Sequence, residues 1–294
     1  MTEYSSTLRP STVLGRQLGD ELRRFRELAG LSTAAAAETL DCTKGKISRI
    51  ENGRVPVRVP DLVALLYAYG IDEPGVLERL TTLARTANRR RRDGWWNQYG
   101  QVLADTYRDY IALEAMSDSI RTFQCQLVPG LLQTPAYVRA VTLASKAWRS
   151  VDEIEQFVQV RLARQERLTS EPRLTMWAVV TEGVLRQQVG GSKVMSIQLQ
   201  HLATMAEEPN ITVQVLPFSR GAHAGMFGPY LLLSFPQVSA LDVVRAENPT
   251  GAVWLERESE VGRYRELFDD ARKTALSPTE SMTLIRRVAK EHSQ

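Results

Sequence analysis

Cysteine is scarce in this chain. Its 294 residues hold two, Cys42 and Cys125, far apart and in different contexts. That excludes a disulfide-stapled secreted scaffold and fits a reducing compartment with two free thiols. Three histidines, His201, His223 and His292, are scattered along the chain, so their spacing sets out no metal centre and no cofactor is implied. The longest apolar runs fall well short of the roughly 18 residues that a membrane span needs. MTEYSSTLRPST, the first stretch, has no apolar core of the kind that opens a secretory signal, and a cytoplasmic protein is expected. Catalytic signatures are missing too: GxGxxG, the phosphate-cradling GxxxxGKS/T, HExxH and GxSxG do not occur. Gly190-Gly191-Ser192-Lys193 is too short to cradle phosphates and reads as a turn into a helix capped by Ser192. No enzymatic activity is expected.

What is present is the composition of a globular protein, 43% hydrophobic and 24% charged. The length suggests two domains and suffices for a sizeable core without staples. Net charge is +3, unevenly spread: residues 1–93 carry 16 Lys/Arg against 12 Asp/Glu, and the rest carry 21 against 22. A basic excess confined to the first third points to a polyanionic partner at that end.

Helical periodicity dominates there. Leu14, Leu18, Leu22, Phe25 and Leu28 make an amphipathic helix of about four turns, and Gly30 suits the left-handed residue that ends one. Ser32 caps a short alanine-rich helix from Thr33 to Leu40. Asp41-Cys42 forms a tight turn, and Thr43 caps a helix from Lys44 to about Glu51. That helix turns Ile47 and Ile50 inward and leaves Lys44, Lys46, Ser48 and Arg49 outside. Asn52-Gly53 stops it. Pro60 opens a fourth helix ended by Gly70, and a fifth runs from about Glu73 to Thr86. Two short helices, a tight turn and a basic outer face on the second make a helix-turn-helix.

The stretch LRRFRELAGLSTAAAAETLDCTKGKISRIENGR resembles the Xre/Cro/phage-repressor family of DNA-binding domains. The resemblance is carried by Leu22-Arg23, Gly30-Leu31-Ser32, Ala37, Leu40 and Ile47 through Arg54. It implies a lambda-repressor-like all-α head that binds double-stranded DNA. Its DNA contacts would be Thr33, then Thr43, Lys44, Lys46, Ser48 and Arg49, then Arg54. The chain departs from the family pattern in Asp41 for the usual turn glycine, in Ala36 for a leucine, and in Gly45 inside the recognition helix. Gly45 suggests a base contact made without a side chain.

The head is placed at residues 10–84, a basic linker at 85–94, and a second domain at 95–290. Arg85 and Arg89 to Arg92 read as a solvated helix end or as extra phosphate contacts. Beyond the linker, Trp96, Tyr99, Leu103, Tyr107, Tyr110 and Ile111 fit one helical face, and Ser119–Val128 looks like a strand. Thr134-Pro135 opens a helix, Val151–Leu168 forms a long one, and Ser277-Pro278-Thr279-Glu280 is a capping box. Helices around strands at 174–180, 211–216, 230–235 and 241–245, with a further one at 253–255, make this an α+β domain with a small, mainly antiparallel sheet. Cys42 and Cys125 read as core residues.

A second resemblance rests on Val128-Pro129-Gly130-Leu131-Leu132-Gln133-Thr134-Pro135-Ala136-Tyr137, on Arg161 and Arg164 to Leu168, on Gln198-Leu199 and His201-Leu202, on Pro209 to Phe218, and on Gly221-Ala222-His223. These resemble the large C-terminal domain of unknown function that follows an Xre-type head in many actinomycete regulators. The resemblance implies an antitoxin-like regulator accompanied by a small acidic partner protein. Pro217 to Pro229 is a long glycine-rich loop. It reads either as a flexible hairpin loop, with His223 tying down backbone carbonyls, or as an effector loop in which Phe218, Arg220 and His223 meet an anionic or planar small molecule. The expected protein is a sequence-specific transcriptional regulator, cytoplasmic and nucleoid-associated, acting as a homodimer. Its C-terminal domain would dimerise, bind an effector or bind a partner protein. The alternative is an interaction module that neutralises a partner and autoregulates its operon.

Overall fold

The computed structural model describes residues 13–89, 94–145, 150–235, 241–248 and 251–294. Arg90 to Asp93, in the expected linker, lie outside these. The chain divides into two units, one running through Gln98 and also taking Asp105–Ala112, the other taking the sheet and its helices.

The first unit opens with α1 (Val13–Leu28), α2 (Thr33–Thr39), α3 (Lys44–Glu51), α4 (Val59–Ala68) and α5 (Pro74–Arg89). The start of the expected basic linker, 85–89, thus continues α5. Val13, Leu14, Leu18, Leu22 and Phe25 form the buried stripe of α1. Leu28 does not join it and is 75% exposed. It sits about 120° round the helix from Leu22, and the inward place in that last turn goes to Arg26. Ser32 and Thr43 cap α2 and α3 by accepting from the backbone N–H of Ala35 and Lys46. Asp41 takes a left-handed φ of 46° in the turn between them, which aspartate tolerates better than most residues. Ala36 and Ala37 are buried, as are Ile47 and Ile50. Cys42 is half-buried rather than in the core, because the turn it occupies lies at the edge of the helix pair.

α1 and α3 meet at backbone distance. A Cβ on Gly19 would lie 2.4 Å from the Glu51 carbonyl oxygen, and one on Gly53 would lie 2.4 Å from the Arg16 nitrogen. Gly53 also has a φ of +64°, which lets the chain leave α3 along the flank of α1.

The helical face expected from Trp96 to Ile111 is broken into a 3-10 turn, Trp95–Tyr99, and α6 (Asp105–Glu114). Gly100 follows the first piece and favours the break. Then come β1 (Ser119–Gln124), α7 (Pro135–Ser145), α8 (Val151–Thr169), β2 (Thr175–Thr181), α9 (Glu182–Arg186), α10 (Ser192–Met205), β3 (Ile211–Leu216), β4 (Tyr230–Phe235), β5 (Leu241–Asn248), β6 (Gly251–Leu255), α11 (Glu258–Thr274) and α12 (Pro278–Glu291). β1 stops at Gln124, short of the expected Val128, and Cys125 is half-buried just past its end. Gly191, with φ +89°, takes the N-cap of α10, so Ser192 is its first residue rather than its cap. The capping box at Ser277 and Glu280 is formed.

The sheet has six strands in the order β3-β2-β1-β4-β5-β6. It is mixed: β1, β2 and β3 are parallel, while β1–β4, β4–β5 and β5–β6 are antiparallel. The helix pairs α7–α8 and α9–α10 make the crossovers that parallel strands require. One sheet face, with Phe123, Val179, Leu216, Tyr230, Leu232 and Val244, packs on Val261, Phe268 and Ala271 of α11. At the β3 edge, Val215 donates to Ser281 Oγ at 2.8 Å and accepts from the Leu276 N–H at 2.9 Å. That edge is thereby covered.

The residues behind the second resemblance hold backbone. Tyr137 Oη accepts from the Val128 N–H at 3.2 Å, and Gln133 Nε2 donates to the Val128 carbonyl at 2.7 Å. Gln198 accepts from the Thr134 N–H and donates to the Leu132 carbonyl, both at 2.7 Å. Gln165 donates to the Gln133 carbonyl at 2.6 Å. A buried irregular segment needs such partners, because its peptide groups have no ladder or helix to pair with. Arg164 makes a buried bidentate pair with Glu114, both contacts at 2.6 Å.

Candidate nucleic-acid interface

The site is built on α3. Its inner face is fixed by Ile47 and Ile50, and its C-terminal turn is held from α1. Arg26 donates Nε and Nη2 to the two carboxylate oxygens of Glu51, at 2.6 and 3.1 Å, and Nη1 to the Leu31 carbonyl at 2.8 Å. Arg23 donates to Asn52 Oδ1 at 3.0 Å, and Asn52 Nδ2 donates to the Ser48 carbonyl at 2.7 Å. The helix is clamped where it leaves the core, and its outer face carries the chemistry.

Of the residues expected to touch DNA, Thr43, Lys44, Ser48, Arg49 and Arg54 are exposed, while Thr33 and Lys46 are half-buried. Thr33 is the first residue of α2. Thr43 accepts the Lys46 N–H through Oγ1, at 3.3 Å, which leaves its hydroxyl proton for an outside acceptor. A Cβ on Gly45 would meet only Arg49 Nη1 at 3.8 Å and Thr43 Oγ1 at 3.9 Å. Both are ordinary van der Waals distances, so the site has room for a side chain, and the Arg49 guanidinium lies over the first turn of α3. Arg54 follows the helix in a closed turn, its N–H donating to the Arg49 carbonyl at 2.8 Å.

Lys46 differs from the others. Its ammonium lies 3.8 Å from an oxygen of Asp61 in the first turn of α4. The same carboxylate accepts from Arg58 Nη2 at 2.9 Å and Nε at 3.2 Å, and this bonding raises the Arg58 pKa above its ordinary value. Sequence reasoning missed Arg58 and Asp61. The local signal was an Arg and an Asp three apart around a helix start; their approach to Lys46 is tertiary.

The candidate effector residues of the 217–229 loop engage three different elements. Phe218 is 63% exposed, and its N–H donates to Glu182 of α9 at 3.0 Å. Arg220 is exposed and near Glu280 of α12, whose carboxyl is held below its usual range by Ser277 first and by this charge last. His223 packs on Phe123 of β1, ring centroids 5.7 Å apart, and burial lowers its pKa. Its Nδ1 accepts from the Gly225 N–H at 3.1 Å, so the imidazole ties down a backbone donor and not a carbonyl. The segment is not a hairpin loop: it carries the chain from edge strand β3 past β2 and β1 to β4. Among the described residues, no cluster of three His, Cys, Asp or Glu side chains is placed to hold a metal ion. No described helix is long and apolar enough to cross a membrane.

Residues 17–80 match the model of a helix-turn-helix domain, which supports DNA binding and transcription regulation. No curated protein and no solved structure shows a significant match to the chain. Residues 107–287 match the model of a domain of unknown function, DUF5753, and since this stretch is more than half of the whole, the chain belongs to the DUF5753 family, here behind a helix-turn-helix head.

Proposed function

We propose that the protein is a sequence-specific transcriptional regulator that lays α3 in the major groove. Arg49, Lys44 and Ser48 read base edges, with Arg49 suited to guanine O6 and N7. Thr33, Thr43, Lys46 and Arg54 hold phosphates. The observation that carries this reading is the contrast between the two faces of α3. Ile47, Ile50 and Glu51 are buried and clamped, whereas Lys44 and Arg49 stand exposed and outside any ion pair among the described residues. A single head of this size reads few base pairs. A homodimer on a two-fold site, with half-sites about 34 Å apart, supplies the rest. In this reading the chain is a cytoplasmic binding protein and not an enzyme, and its C-terminal domain dimerises or receives an effector.

A second reading gives the C-terminal domain a protein partner, small and acidic, that it neutralises while the head autoregulates the operon. Met226 and Phe227, 68% and 97% exposed, favour it, as adjacent apolar side chains displayed on a loop.

The test is binding of the purified chain to fragments of its own promoter region, with Arg49→Ala alongside. Selective binding that loses about 1–3 kcal/mol of sequence preference in the variant supports the regulator. Weak binding indifferent to Arg49 shifts the reading to the interaction module.

A further inference from the structure

We infer that Asp61 sets the strength and salt dependence of the head's hold on DNA: its carboxylate engages the Lys46 ammonium and the Arg58 guanidinium and so weakens their sequence-blind grip on the DNA backbone. This rests on the DNA-binding reading above and adds Arg58 and Asp61 to it.

The geometry is that of one anion beneath two cations. Asp61 is 15% exposed at its side chain, Lys46 38% and Arg58 80%. Both cations present a free side to solvent while the carboxylate lies behind them. Arg58 sits at the N-cap of α4 yet makes no capping hydrogen bond; its side chain folds forward onto Asp61 instead. Asp61 lies in the first turn of α4, where the helix dipole favours a negative charge independently of the two cations.

A phosphate approaching Lys46 or Arg58 comes within a few ångströms of this carboxylate. That is shorter than the screening length of about 8–10 Å at ordinary salt, so the repulsion is felt. It acts alike on every DNA sequence, because phosphates carry no sequence information. The base readers Arg49, Lys44 and Ser48 make no hydrogen bond or ion pair with Asp61 among the described residues, so their contribution is untouched. A loss common to operator and non-specific duplexes leaves their affinity ratio unchanged, so what Asp61 lowers is the absolute affinity and its salt dependence.

The experiment titrates the full-length protein with a random-sequence duplex at about 50 and about 200 mM salt. It compares wild type, Asp61→Asn, the pair Lys46→Gln with Arg58→Gln, and all three changes together. Asp61→Asn is expected to bind about tenfold more tightly at the lower salt. Its log K should fall more steeply with log salt, by about one phosphate's worth. Both gains should vanish when Lys46 and Arg58 are already glutamine. Equal affinity and slope in wild type and Asp61→Asn overturn the inference. So does a gain that persists without the two cations, and so does weaker binding by a folded Asp61→Asn. Asp61→Ser, which keeps a helix-starting side chain, serves in its place should the amide variant unfold. A wild-type protein that binds no duplex at either salt defeats the DNA-binding reading itself, an outcome separate from an unresponsive Asp61→Asn.

Discussion

Arg26 and Glu51 form a bidentate ion pair inside the head, 7% and 3% exposed, that joins α1 to the last turn of α3. Hydrogen bonding to Glu51 raises the arginine pKa beyond its already high value, against the opposing effect of burial. The guanidinium therefore stays charged across the accessible pH range. A third bond, to the Leu31 carbonyl, adds the α1–α2 turn to the same clamp.

Glu51→Gln leaves the buried Arg26 guanidinium with only the exposed Glu27 carboxylate, 3.5 Å away, as counter-charge. Removing one partner of a buried pair costs about 3–5 kcal/mol. The denaturant midpoint of the head should drop accordingly, followed by circular dichroism, and DNA affinity should fall as the head unfolds. An unchanged midpoint would show that water or a rotamer change satisfies Arg26.

Gly19→Ala tests the close approach of α1 to α3. Helix propensity alone predicts a gain of about 1 kcal/mol. The new Cβ, however, would lie 2.4 Å from the Glu51 carbonyl oxygen, and such overpacking costs about 1–3 kcal/mol. The melting temperature is expected to fall; a rise would mean the two backbones stand further apart.

The Tyr69 hydroxyl is buried and has no hydrogen-bond partner among the described residues. Burial, with the Glu51 charge second, pushes the phenol up to about 12. Its folded pKa thus exceeds the unfolded value of about 10. The group's contribution to stability is complete below pH about 10 and is lost as the pH rises through about 12, because the unfolded chain gives up its proton first. Tyr69→Phe removes the unpartnered hydroxyl. It is expected to add about 1 kcal/mol at neutral pH and to lessen the decline in stability at alkaline pH. Thermal melts of both proteins against pH check both effects, and a variant less stable than wild type at pH 7 would contradict the first.

Arg54→Ala should weaken binding to all DNA sequences alike. The salt slope should become shallower by about one unit, as for one lost phosphate contact. Altered sequence preference in this variant would place Arg54 among the base readers.

Most of the head was legible because its signals are local. Caps at Ser32 and Thr43, the left-handed Gly30 and the inward pair Ile47 and Ile50 all lie within a few residues of what they control. Leu28 misled because it is apolar and three residues from Phe25, yet α1 ends before a neighbour can cover it. Gly191 in place of Ser192 shows how one left-handed residue moves a cap by a position. The mixed sheet was not legible, because strand order is set by pairings between distant segments. The apolar run Tyr230–Phe235 looks the same beside β3 as beside β1. The approach of Lys46 to the local Arg58–Asp61 pair was hidden for the same reason: it exists only when α3 and α4 meet.

The sheet order also sets a timetable for synthesis. β1, near the middle of the sheet, is the first strand made, and one of its two neighbours is the fourth. α1 to α5 are close in sequence and complete early, while the β4-facing edge of β1 waits until Tyr230–Phe235 have been added. At 5–20 residues per second, that wait is on the order of ten seconds. Throughout it, Ile120 and Phe123 flank unpaired backbone groups that will later face Leu233 and Tyr230. A nascent chain stalled in the 217–229 segment therefore carries an open, apolar strand edge, the kind of surface that joins other chains into aggregates.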